Sequence, residues 1–119
     1  MRQFNPQWRN RPRKRNNPEV QLVRHIIYEL RNRGYVAGKV KTTGAPINGR
    51  FIKDLLLMKG LPDIFAFNLN TKVMLGIEAK AGSNKQTDDQ LIFGAHFHNP
   101  PSRIYLVIRS IEDLIEAIK

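Results

Sequence analysis

Two short apolar runs, Ile64–Phe67 and Val73–Ala79, stand on either side of Asn68–Lys72, whose two asparagines suit a turn. Both runs consist of strand formers with almost no polar interruption. Strands of that kind need cover on both faces, which demands helices packed on a sheet. Charge enters this hydrophobic stretch at one end only: Asp63 opens the first run, and Glu78 and Lys80 close the second. A carboxylate near a core is costly unless it is paired, hydrogen-bonded or bound to a metal.

The turn fixes what these charges do to one another. With Asn70 and Thr71 at the tip, Asp63 and Glu78 are equidistant from it and become direct cross-strand neighbours on one face. Lys80, two residues beyond Glu78, shares that face. Two facing carboxylates repel, and a divalent cation between them removes the repulsion. Such a pair, completed by a backbone carbonyl and waters, suits a hard cation, Mg²⁺ or Mn²⁺. A slip of one residue in the register would separate the two acids.

The remaining elements fit the same architecture. Asn17 caps a helix with Pro18 at its first position. Val20, Val23, Ile26, Ile27 and Leu30 give that helix an apolar stripe, and Gly34 ends it as a left-handed cap. A short strand is expected at Tyr35–Lys41 and a flexible loop at Thr42–Arg50. Phe51–Met58 follows neither period and reads as a weak strand or a helical turn. A helix from Thr87 to about His96 opens with Thr87 and Gln90 at capping-box spacing, and Asn99–Pro100–Pro101 stops it. Ile104–Ile108 is a strand. Ser110 opens a last helix with Ile111, Leu114, Ile115 and Ile118 inward. The expected fold is α/β, a small mixed sheet flanked by helices over residues 18–119, preceded by a disordered basic arm at 1–17.

Charge names the partner class. Twenty Lys and Arg oppose ten Asp and Glu, a formal net charge of +10. Nucleic acid relieves such self-repulsion and releases counterions in return. Arg2, Arg9, Arg11, Arg13, Lys14 and Arg15 concentrate six of those charges in the arm. There they are expected to bind phosphate, with Phe4 and Trp8 able to stack on bases. Arg50, Lys53 and Lys59, near the charged strand ends, are further phosphate contacts or simply solvated. Lys85 and Gln86 lie in a polar loop that could face the substrate. With no cysteine, disulfides, thiolate zinc sites and cysteine nucleophiles are excluded. No run approaches a membrane span, and no apolar segment follows the N-terminal charges as a secretory signal requires. The expected location is therefore cytoplasmic, in a bacterial or phage-infected cell.

Two acids, a lysine and a metal in a basic protein indicate phosphodiester hydrolysis. Pro62–Asp63, fourteen intervening residues and then Glu78–Ala79–Lys80 resemble the PD-(D/E)XK nuclease signature. The wider context is similar to its virus-type replication-repair nuclease (VRR-NUC) branch. That context comprises Glu19 in a leading helix, Lys59–Gly60–Leu61–Pro62–Asp63, Gly76–Ile77–Glu78–Ala79–Lys80 and Gln90 in the following helix. The resemblance implies a restriction-endonuclease-like core. It also implies Asp63, Glu78 and the Ala79 carbonyl as metal ligands, with Lys80 acting on the nucleophilic water. Glu19 would assist through a water or a second metal, and Gln90 would position the lysine or a phosphate. Small domains of this kind look like resolvases of branched DNA, working as homodimers.

Simpler readings stand beside these. Glu19 suits the positive end of its helix without any function, as do Asp88 and Asp89. Gln90 serves either the capping box or catalysis. His96 and His98 point to different sides of a helix and do not make a zinc site. The rival to a nuclease is a non-catalytic nucleic-acid-binding protein on the same scaffold. A third reading keeps the chemistry in a nickase or a restriction-type enzyme that reads sequence. A pure binder, however, gains nothing from two facing carboxylates that repel phosphate.

Overall fold

The computed structural model describes residues 17–40, 45–47, 50–52 and 59–119. Helix α1 spans Pro18–Asn32, followed by strands β1 (Tyr35–Lys39), β2 (Ala45–Ile47), β3 (Arg50–Ile52), β4 (Ile64–Asn68) and β5 (Met74–Ala79). Helix α2 (Asp88–Phe97), strand β6 (Arg103–Ile108) and helix α3 (Ile111–Ala117) complete the order. The main sheet runs β1-β4-β5-β6. Its first two pairings are antiparallel and the last is parallel, so the sheet is mixed and α2 forms the crossover from β5 to β6.

Local chemistry sets the ends of the elements. The Asn17 Oδ1 accepts a hydrogen bond from the Glu19 N–H at 2.9 Å, and Gly34, at φ +89°, ends the helix turn as expected. In the β4–β5 turn, the Asn68 side chain accepts from the N–H groups of Asn70 and Thr71. Ser110 caps α3 by accepting from the Asp113 N–H.

Alternate residues of the hairpin face opposite layers. Ile64, Ala66, Leu75, Ile77 and Ala79 are buried together with Val23, Ile26, Ile27 and Leu30 of α1 and with Leu114 of α3. On the other face, Phe65 meets Phe93 and Phe97 of α2 at ring-centroid distances of 6.5 and 5.8 Å. Cover on this second face is partial: α2 packs over Phe65 and β6, while the cross-strand pair Val36 and Phe67 stays 56% and 46% exposed. Val20 departs from the expected stripe. At 42% exposure it lies in the first turn of α1 and lines a cleft with Glu19.

The expected loop at Thr42–Arg50 needs correction. Ala45–Ile47 pairs with Arg50–Ile52 as a separate two-stranded antiparallel sheet, with Ile47 opposite Arg50. The sequence does carry a signal for this. Asn48–Gly49 is a dipeptide favoured in two-residue hairpins, and the glycine and proline content of the segment masks it. Ile52 is thus in a strand, whereas the weak strand or turn expected over the rest of Phe51–Met58 lies outside the described residues from 53 onward. β1 ends at Lys39, and residue 41 is not described. The arm cations Arg9, Arg11, Arg13, Lys14 and Arg15, with Phe4 and Trp8, also lie outside the described residues. For Arg50 only the strand is described.

Candidate active site

The β4–β5 register decides whether the acids meet. Ile64 pairs with Ile77 and Phe65 with Gly76, so extending the ladder by one step sets Asp63 opposite Glu78. The register inferred from the turn therefore holds. The Asp63 Oδ2 accepts a hydrogen bond from the Ala79 N–H at 2.8 Å, which ties the start of β4 to the end of β5. Before it, Gly60 adopts φ +76°, and a side chain there would run into the Asp89 carbonyl. Only glycine brings the Lys59–Gly60 turn that close to the start of α2.

Glu78 is the most constrained of these groups. It is 1% exposed. Its Oε1 accepts from the Gln90 Nε2 at 2.8 Å and stands 4.0 Å from the Lys80 Nζ. Its Oε2 is buried with no hydrogen-bond partner among the described residues. Burial, and then the Asp63 carboxylate, push the Glu78 pKa up to about 8, against a smaller opposing pull from Lys80. Lys80 is itself buried, and its N–H continues the β5–β6 ladder to the Ile108 carbonyl.

Gln90 forms the capping box and also contacts Glu78. Its Oε1 accepts from the Thr87 N–H and its N–H donates to the Thr87 Oγ1, a complete capping box. That bond fixes the side-chain amide so that Nε2 points at Glu78. The helix cap is the device that aims the amide. Gln90 therefore contacts the acid, and the structure gives no hydrogen bond from it to Lys80.

Glu19 lines a cleft of about 220 Å³ together with Asp63, Lys39 and Val20. Its Oε1 accepts from the Asn84 Nδ2 at 2.8 Å and from the Ala81 N–H at 3.3 Å, in the segment just after β5. Glu19 adds a small upward push to the Glu78 pKa, so it is within electrostatic reach of the pair. Among the described residues no three or more Asp, Glu or His groups close into a cage. The arrangement is an open pair of facing carboxylates with Glu19 to one side.

Arg109 and Tyr105, which the sequence did not single out, help hold this end of the sheet together. The Arg109 guanidinium donates to the carbonyls of Gly82 and Asn84, at 3.0 and 2.8 Å, and so pins the loop that carries the Glu19 partners. The Gln86 Nε2 donates to the Tyr105 hydroxyl, whose pKa is pushed up to about 12 by burial and then by the Glu78 charge. The only advance signal was position: Arg109 directly follows the last strand, at the same sheet end as Lys80. Lys59 lies on an exposed turn. The His98 Nδ1 accepts from the Tyr105 N–H, so this imidazole closes an edge-strand donor. Asp88 and Asp89 sit in the first turn of α2, where the helix dipole favours them.

No family model matches the chain, and no curated protein matches it. The structure is similar to a solved structure described as a VRR_NUC domain, with a TM-score of 0.61 and 17% identity. The match covers 87% of this chain and 96% of that one. At that identity the likeness shows the fold alone, and it agrees with the element order and the mixed sheet: the chain has the fold of a VRR_NUC domain.

Proposed function

We propose that the chain is a divalent-metal-dependent DNA endonuclease that hydrolyses phosphodiester bonds at structured intermediates of replication or repair. The observation that carries this is the Glu78 Oε2, a buried carboxylate oxygen with no hydrogen-bond partner among the described residues, opposite a second carboxylate. An oxygen so placed costs stability in any protein that does not use it. The donor set fits a hard cation: Asp63, Glu78 and the Ala79 carbonyl would hold Mg²⁺ or Mn²⁺, with Glu19 reaching it through a water or at a second ion. Such an ion supplies a water of lowered pKa and offsets charge on the phosphoryl oxygens.

The residues of the chain do the rest. Gln90 keeps the Glu78 Oε1 in place, and Oε2 is left without a hydrogen bond among the described residues. Lys80, close to the same carboxylate, orients the attacking water and stabilises charge gathering on the phosphate. The arm cations and the Lys59 and Arg50 positions add salt-sensitive affinity for the backbone. One site makes one cut, so paired cuts across a junction call for a homodimer.

The test is a cleavage assay of the full chain on labelled four-way junction, flap, single-stranded and duplex DNA, in Mg²⁺ and in EDTA. Mg²⁺-dependent cutting that favours the junction supports the resolvase reading. Preference for another substrate keeps the nuclease and discards the resolvase. Binding without cutting in Mg²⁺ or Mn²⁺ overturns the nuclease.

A further inference from the structure

Along one flank of α2, beyond the acidic pair, lies a cavity of about 550 Å³. That is within the range of about 300–1,000 Å³ typical of pockets that hold small ligands. Phe93 and Phe97, one helical turn apart, contribute rings 5.7 Å apart and nearly parallel at 15°. Ile92, exposed to 57%, forms part of the same lining. The Arg103 guanidinium lies 5.9 Å from the Phe97 ring centroid and is held there by its Nε donating to the Phe97 carbonyl at 2.8 Å. Lys59 contributes a second cation. Among the described residues lining the cavity, Asp89 is the single acid against these two permanent charges.

Two contacts connect this cavity to the carboxylates. Asp89 immediately precedes Gln90, whose amide holds Glu78, and it touches Gly60, three residues before Asp63. From Asp89 to Phe97 the lining extends about 12 Å at 1.5 Å per residue. A strand leaving the acidic pair along α2 runs onto an aromatic surface flanked by cations. Bases stack on such rings whatever their identity, while phosphates take the cations. A purely apolar partner would leave Asp89 alone to offset Lys59 and Arg103.

We infer that this cavity receives one unpaired nucleobase of the substrate, stacked on the Phe93–Phe97 surface, with its flanking phosphates on Lys59 and Arg103. The inference rests on the nuclease reading and adds to it a basis for choosing substrates. Only a base already released from its pair can enter, so the pocket selects DNA with an unpaired nucleotide and ignores sequence. Stacking of this kind strengthens binding by about fivefold to a hundredfold.

Photocrosslinking tests it on the full chain, with Ca²⁺ replacing Mg²⁺ to keep the DNA whole. One probe carries 5-iodouracil at a single unpaired nucleotide, and the other carries it paired within a blunt duplex of equal length. The expected result is a crosslink to residues 88–103 from the unpaired probe only, together with tighter binding of that probe. Ile92→Asp, at an exposed position that spares the core, removes the crosslink and brings the affinity ratio of the two probes towards one. A crosslink elsewhere, or equal affinities for the native chain, overturns the pocket; if Mg²⁺-dependent cleavage persists, the nuclease reading survives that result. Failure to bind either probe, with no cleavage in Mg²⁺ or Mn²⁺, removes both.

Discussion

The two faces of β5 obey different rules. Leu75, Ile77 and Ala79 point into the layer formed with α1 and α3, where each is no more than 3% exposed among aliphatic neighbours. Gly76, Glu78 and Lys80 point the other way, towards α2, where burial holds a carboxylate with a raised pKa and a lysine beside it. The strand and the residue after it thus carry a core on odd positions and the buried charge on even ones. The period of two lets a small protein keep buried charge out of its stabilising layer. The face with α1 and α3 keeps the chain folded, and that stability offsets the cost of burying charge on the other face.

Substitutions on the two faces should therefore fail in different ways. The largest effect is expected at Lys80→Ala, which lowers the cleavage rate by about 10²–10³-fold or more while DNA binding stays close to native. Single-turnover kinetics beside a binding titration would show it. Loss of both in a folded variant would mean that the lysine holds the site together and does not act on the reaction. Next comes Ile77→Ala, one residue from Glu78 and on the opposite face. It should cost about 2–5 kcal/mol in denaturant unfolding and leave the rate per folded molecule near native. A large rate loss there would break the separation of the faces.

Glu78 gives the comparison a pH dependence. Its pKa is about 8 in the fold, against an ordinary carboxylate value of 4.5. The native chain therefore keeps a proton that the unfolded chain releases. In the absence of metal, stability is greatest below pH 4.5 as far as this group is concerned, falls as pH rises towards 8, and levels off above it. Glu78→Gln should flatten that fall and raise the Tm of the metal-free protein at pH 8, while cleavage is lost. For the native chain, Mg²⁺ should raise the Tm more at pH 8 than at pH 6, since the ligand must be deprotonated. A Tm that is insensitive to pH between 5 and 8 would contradict the assignment.

The smallest effect is expected at Thr87→Ala. Removing the cap costs about 1 kcal/mol of stability. It also frees the Gln90 side chain, so the cleavage rate should drop a few-fold through Glu78. Unchanged kinetics with reduced stability would confine the capping box to a structural role.

Much of this was legible in the sequence because the hairpin is strongly determined. Apolar runs of fixed parity about a short turn admit one register that keeps Ile64 and Ile77 inside, and that register alone puts Asp63 opposite Glu78. The helix caps at Asn17, Thr87 and Ser110 were local signals and could be read directly. What escaped were contacts between segments far apart in the chain. The Arg109 clamp on Gly82 and Asn84 spans more than twenty residues, and the Asn84 bond to Glu19 spans 65. No periodicity encodes such pairs, since they depend on which loops the topology brings to one sheet end. The double role of Gln90 escaped for a related reason: a local motif and a tertiary contact shared one side chain, and the sequence offered them as alternatives.

The central claim is that the α2-facing end of the β4–β5 hairpin is a metal-dependent hydrolytic site. Cleavage of labelled branched DNA by the native chain and by Asp63→Asn, each in Mg²⁺ and in EDTA, tests it most directly. Cutting by the native chain is expected in Mg²⁺ alone, with none by the variant, whose fold and DNA binding are retained. Cutting in EDTA, or equal cutting by Asp63→Asn, would contradict it.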